Sequence, residues 1–148
     1  MKDKSTLLFE WRQRRLELKN NFTEDNLQAV IDWWKSLDYH SHGFNYDNPT
    51  IWPDVWEYIS EEFYTNSGNG LGCFYTVHHA CPDKDPELLL IHDLLYGDIY
   101  LICVVDGFIL NRSSGILESM NDTIADFDIL KRFSKEFILN TLKFRNMK

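Results

Sequence analysis

The chain has 148 residues, of which 44% are hydrophobic and 15% aromatic, and this is enough apolar side chain for one compact domain spanning residues 1–148. The net charge of −8 is unevenly spread: residues 1–20 carry six cations against three carboxylates and residues 130–148 carry six against one, so residues 21–129 carry −16. Because so acidic a body repels phosphate, it argues against a nucleic acid partner and favours a protein partner with a basic surface.

Two amphipathic helices are predicted at the amino-terminal end. Ser5 is the expected N-cap of the first helix, whose apolar stripe consists of Leu8, Trp11, Leu18 and Phe22. Thr23 is the expected N-cap of the second helix. The inward face of that helix is predicted from the helical spacing of Leu27, Val30, Ile31, Trp34 and Leu37.

The stretch from Asp38 to Pro53 loses all periodicity, and its Gly, Asn and Pro residues predict a long loop. His40 and His42 lie two residues apart in this loop, a spacing that suits a metal only if a shaped loop brings further ligands. We therefore predict no metal site there.

A third helix is predicted from Pro53 to Tyr64, with Trp56 on its inward face. The glycines that follow, at 68, 70 and 72, are interpreted in two ways. They form either a flexible connector or a set of small residues that lets a helix approach its neighbour closely. A buried, helical segment is then expected as far as Ala80.

The second half of the chain predicts an antiparallel sheet of three or four strands. The candidate strands are residues 87–93, 99–105, 108–110 and 116–118. The Asp106–Gly107 pair is the clearest turn, because Asp-Gly supplies the positive φ values of a type I′ hairpin turn. Apolar residues near helical spacing predict a C-terminal helix from about Ile129. This order of elements predicts an α+β fold.

The three cysteines, Cys73, Cys81 and Cys103, are an odd number without a CxxC pair, which argues against a disulfide framework and a zinc site. We expect reduced thiols, no metal and no cofactor. The sequence contains no run of eighteen apolar residues and does not begin with a signal-peptide pattern. It therefore predicts a cytoplasmic protein that does not cross a membrane.

Four stretches carry a family resemblance: DWW at 32–34, WPDVWEYIS at 52–60, LGCFYTV at 71–77 and VDGFILN at 105–111. They resemble the pattern of small uncharacterised proteins of contractile-tailed bacteriophages, some of which are similar to transglutaminase-like or papain-like folds. The resemblance implies a helix packed across an antiparallel sheet. It also implies a cysteine at the helix start as nucleophile and a histidine on a following strand as base.

The sequence departs from that implied pair. Thr65 occupies the helix-start position, and the strand from Tyr100 to Val105 has no histidine. Cys73, two turns further on, and His92, at the end of the preceding strand, are the remaining candidates for a shifted pair. A cysteine among apolar neighbours is more typical of a small buried side chain, so we predict no catalytic residue.

The main functional prediction is a phage-type protein that binds and inhibits a host or defence protein and performs no catalysis. Its binding surface is predicted from carboxylates of the third helix and of the turn after Cys81. These residues are Asp54, Glu57, Glu61, Glu62, Asp83, Asp85 and Glu87. Two alternatives stay open, namely a thiol hydrolase of the transglutaminase-like class and an immunity-type or structural virion protein.

Overall fold

The computed structural model describes residues 3–37, 49, 52 and 66–146. Almost all of the predicted loop 38–53 lies outside these residues, including His40 and His42. The predicted helix 53–64 lies wholly outside them, and so does its Trp56, whose core position stays a prediction.

Helices α1 (Lys4–Asn20) and α2 (Glu24–Ser36) form the amino-terminal pair. Asp3 caps α1 in place of the predicted Ser5, because its carboxylate accepts a backbone N–H of the first turn at 2.8 Å. Thr23 caps α2 as predicted, accepting a first-turn N–H at 3.2 Å. All five apolar side chains predicted for the inward face of α2 are buried, which confirms that face.

Helix α3 (Asn66–Ala80) packs against α1, α2 and the sheet. Its glycines are places of close approach and not a connector. A Cβ added to Gly72 would lie 2.8 Å from the indole of Trp34, and one added to Gly70 would lie 3.0 Å from the carbonyl oxygen of Leu101. Glycine at these positions therefore lets α3 lie directly on α2 and on the sheet.

Five strands in the described residues form one sheet, in the order β4-β3-β2-β1-β5 with every neighbouring pair antiparallel. The strands are β1 (Glu87–Asp93), β2 (Ile99–Val105), β3 (Phe108–Ile109), β4 (Glu118–Ser119) and β5 (Phe127–Phe133). In the turn from β2 to β3, Asp106 and Gly107 have φ values of +51° and +80°. These positive values at both central residues confirm the predicted hairpin.

Both faces of the central strands β1 and β2 are buried. Leu88 and Leu90 of β1 pack into the core under the helices, whereas Leu89 and Ile91 pack into a second core on the opposite face. Asp93 follows Leu89 and Ile91 at the same spacing of two residues, so it lies on the face of the second core. Its carboxylate is therefore among apolar side chains. This side chain is fully buried.

β5 occupies the first part of the stretch interpreted as the C-terminal helix. Its register with β1 shifts at Leu90 and Ile91, which marks a bulge. Phe127 and Phe133 are six positions apart, a spacing that would place them on the same face of a regular strand. Because of the bulge they lie in different cores. The bulge breaks the alternation by which this strand could have been recognised, and it leaves apolar residues at apparent helical spacing.

The remaining elements complete the domain. Helix α4 (Met120–Thr123) and a 3-10 turn (Ile124–Asp126) connect β4 to β5, and helix α5 (Lys135–Asn146) follows β5. The helices at both ends and the antiparallel sheet confirm the predicted α+β fold. None of the helices in the described part of the chain has the length and apolar character needed to cross a membrane.

Candidate functional site

A partly polar cavity of about 420 Å³ lies between α2, the amino-terminal half of α3 and the segments that precede β2 and follow β3. α2 contributes Ile31, Trp34 and Lys35 to its lining, and its C-cap residue Leu37 adds a fourth side chain. The other elements contribute Asn69, Cys73, Asp98, Asn111, Arg112, Ser113 and Gly115. Within the described residues, the charged side chains of this lining are Lys35, Arg112 and Asp98.

The side chain of Asn111 binds the segment after β3 to strand β2. Its Oδ1 accepts the Cys103 N–H at 2.7 Å, and its Nδ2 donates to the Leu101 carbonyl oxygen at 2.7 Å. The side-chain amide thus continues the hydrogen bonding of β2 beyond the end of β3. The following segment is fixed to α2, because the Gln28 amide donates to the Gly115 carbonyl oxygen and accepts the Leu117 N–H.

Arg112 forms a buried ion pair with Asp93, and the two side chains are 4% and 0% exposed. The guanidinium Nη2 lies 3.4 Å from Asp93 Oδ2, which also accepts the Tyr100 hydroxyl at 3.0 Å. The guanidinium lies over the Phe127 ring, 5.1 Å from its centroid. Burial raises the pKa of Tyr100, so this hydroxyl stays a hydrogen-bond donor near neutral pH.

Cys73 lies two turns inside α3, and of the three cysteines it alone lines the cavity. Its residue exposure is 1%, and burial raises the pKa of its thiol well above the ordinary range. The partial positive charge at a helix amino end acts mainly within the first turn. The thiol therefore gains little from it and is protonated near neutral pH.

We expect alkylation of the native protein at pH 7.5 to modify Cys81 first, because it is 9% exposed against 1% for Cys73 and 0% for Cys103. Cys73 should react on the order of a hundredfold more slowly than a free thiol and faster as the pH rises, since only the thiolate attacks. Peptide mass spectrometry after timed quenching measures this. Labelling of Cys73 at the rate of a free thiol at pH 7.5 would contradict its burial.

The other predicted site residues lie away from the cavity or outside the described residues. His92 is half-buried on β1, paired with Ile99 and Asp128, and is not part of the lining. Asp83 and Asp85 are exposed in the turn after α3. Glu87 pairs with Arg132 at 3.1 Å. Asp54, Glu57, Glu61 and Glu62 belong to the range that the structure does not describe, as does Thr65.

Sequence reasoning singled out Cys73 but missed Asp98, Asn111 and Arg112. One signal was available for the buried pair: Asp93 follows Leu89 and Ile91 at a spacing of two, so a carboxylate occupies a position that faces a core. A carboxylate at such a position requires a buried partner.

Sequence comparison finds no matching protein-family model and no matching curated protein. Comparison of structures does find matches, among them three structures of LapG of Legionella pneumophila. The calcium-bound form matches with a TM-score of 0.74 at 12% identity, covering 92% of this chain and 78% of that chain. LapG without a stated ligand matches with a TM-score of 0.73 at 13% identity, covering 91% of this chain and 78% of that chain. The EGTA-treated form matches with a TM-score of 0.72 at 13% identity, covering 90% of this chain and 75% of that chain.

These matches show the fold alone, and the chain shares with LapG a transglutaminase-like, papain-like fold. They confirm that part of the predicted resemblance. They contradict the main functional prediction of a phage-type, non-catalytic inhibitor, because the matched structures have a protease fold and none links the chain to a bacteriophage. The thiol hydrolase alternative agrees better with them.

One matched structure is calcium-bound. The described residues of this chain contain no group of three or more His, Cys, Asp or Glu side chains that could hold a metal.

Proposed function

We propose that the protein is a thiol hydrolase of the transglutaminase-like class that binds a peptide amide in the cavity beside α3. The observation that carries this proposal is the position of Cys73, the one cysteine on the lining, together with the side-chain amides of Asn69 and Asn111. The likeness of the fold to LapG supports it. A cavity of about 420 Å³ is in the size range of small-ligand sites and suits a short peptide segment.

In the proposed reaction the Cys73 sulfur attacks the amide carbonyl carbon, the S–C bond forms and the C–N bond breaks. The thiol proton leaves with the amine. Water then attacks the thioester, releases the carboxylic acid and returns a proton to the sulfur. Asp98, the carboxylate among the described lining residues, is proposed to take the thiol proton and pass it to the leaving amine.

Turnover should rise with pH from neutrality upward, because burial raises the pKa of Cys73 and the thiolate fraction grows about tenfold per pH unit below that pKa. Initial rates on a mixture of tryptic peptides, measured by mass spectrometry from pH 6 to pH 10, test this. Cys73→Ala should abolish the cleavage, whereas Cys81→Ala, which changes a thiol outside the cavity, should retain it. Equal cleavage by the wild type and Cys73→Ala would refute the assignment.

The burial of Cys73 favours a second candidate function, in which the same cavity binds the peptide amide and does not cleave it. No histidine is part of the lining formed by the described residues, so an imidazole base of the usual kind is missing from it. Amide NMR shifts of Asn69 and Asn111 on addition of peptides that remain intact at every pH would favour this candidate over hydrolysis.

A further inference from the structure

Among the described residues that line the cavity, Arg112 alone has a buried side-chain nitrogen without a hydrogen-bond partner. The residue is 5% exposed, it lines the cavity, and its Nη1 is buried without a hydrogen-bond partner in the described part of the chain. A buried donor of a charged group is rarely left without an acceptor, because the loss of hydration is then not compensated. Such a donor beside a cavity indicates that a ligand supplies the acceptor.

The neighbours of Arg112 explain why Nη1 is available. Asp93 accepts from Nη2 alone and at 3.4 Å, which is long for a charge-assisted hydrogen bond. Its oxygens also accept the Tyr100 hydroxyl and the Leu95 N–H, each at 3.0 Å. Phe127 covers one face of the guanidinium. The carboxylate therefore balances the charge of Arg112 without occupying both arms of its planar fork.

We infer that the cavity binds a carboxylate of its ligand against Arg112. A carboxylate is planar and has two acceptor oxygens, which match the parallel N–H groups of a guanidinium. Lys35 adds a second cation to the lining. Asp98 is suited to accept N–H groups elsewhere on the same ligand. The ligand class is thus a peptide with either a free C-terminal carboxylate or an acidic side chain.

This inference rests on the proposed function only in taking the cavity as the ligand site, and it is tested by binding without turnover. Three probes of similar size are compared: N-acetylalanine, N-acetylalaninamide, and N-acetylglutamic acid α-amide. The amide shifts of Asn111, Arg112 and Ser113 are followed by NMR during each titration at constant ionic strength. At least one of the two acids should shift them with an affinity at least tenfold above that of N-acetylalaninamide.

The two acids distinguish the source of the carboxylate: tighter binding of N-acetylalanine indicates a chain terminus, and tighter binding of the glutamic acid α-amide indicates an acidic side chain. Equal affinity for all three probes, or shifts confined to residues away from the cavity, would overturn the inference. If the protein prefers an acid probe but cleaves no peptide at any pH, only the proposed hydrolase is refuted.

Substitution gives a second measurement. Arg112→Lys keeps the positive charge beside Asp93 but loses the fork, so it should reduce the affinity for the preferred acid about tenfold and leave the weak binding of N-acetylalaninamide unchanged. Arg132→Lys is the matched control, because Arg132 is exposed on β5, pairs with Glu87 and is not part of the lining. Unchanged acid affinity in Arg112→Lys would count against the inference. If that variant does not fold, the comparison of acid and amide probes on the wild type still decides.

Discussion

Replacing Trp34 by alanine should lower the free energy of unfolding by about 3–5 kcal/mol. The residue is 1% exposed and its indole lies against Gly72 of α3. Its Nε1 donates to Thr76 Oγ1 at 3.1 Å, and the same oxygen accepts the Trp11 Nε1 at 2.9 Å. The substitution thus removes both the contact between α2 and α3 and one of two hydrogen bonds to a buried hydroxyl.

Urea denaturation followed by circular dichroism measures this loss. Phe9→Ala is the control, because Phe9 is an aromatic residue of α1 with 62% exposure, and its truncation should change the stability by about 0.5 kcal/mol or less. A loss for Trp34→Ala no larger than for Phe9→Ala would show that α2 does not depend on this contact.

The elements that could be predicted are those whose signals are local. Thr23 and the apolar spacing after it determine the start and the inward face of α2, and Asp106–Gly107 determines the β2–β3 turn. The glycines of α3 left two interpretations open, because glycine disfavours an isolated helix. The close approaches of Gly72 to Trp34 and of Gly70 to Leu101 decide between them, and each joins residues that are distant in the sequence.

The candidate site was less predictable than the fold for the same reason. Cys73 could be named from its residue type, but its depth inside α3 depends on where the helix begins. Arg112 lies in a polar segment after the hairpin that reads as an ordinary turn. Its role depends on Asp93, which is nineteen residues away in the chain and across the sheet. Spacing along the sequence does not report such a pair.

Removal of the Asp93 carboxylate is the other change with a large expected effect. Asp93→Ala should cost about 3–5 kcal/mol of folding free energy, because removing one member of a buried ion pair leaves the other charge uncompensated. Asp93 is fully buried, and its oxygens accept the Tyr100 hydroxyl and the Leu95 N–H as well as the guanidinium of Arg112. Equilibrium unfolding in urea at pH 7 measures the loss.

A double-mutant cycle with Arg112→Met separates the charge from the lost packing. The variant with both substitutions should be more stable than Asp93→Ala alone, because it buries no unpaired charge. Glu87→Ala is the matched control, since its partner Arg132 is 57% exposed and such pairs contribute about 0–1 kcal/mol. Strictly additive losses in the cycle would mean that Asp93 contributes through Tyr100 and the backbone alone. The positive charge of Arg112 would then be balanced without Asp93, and the ion pair would have no part in holding the guanidinium beside the cavity.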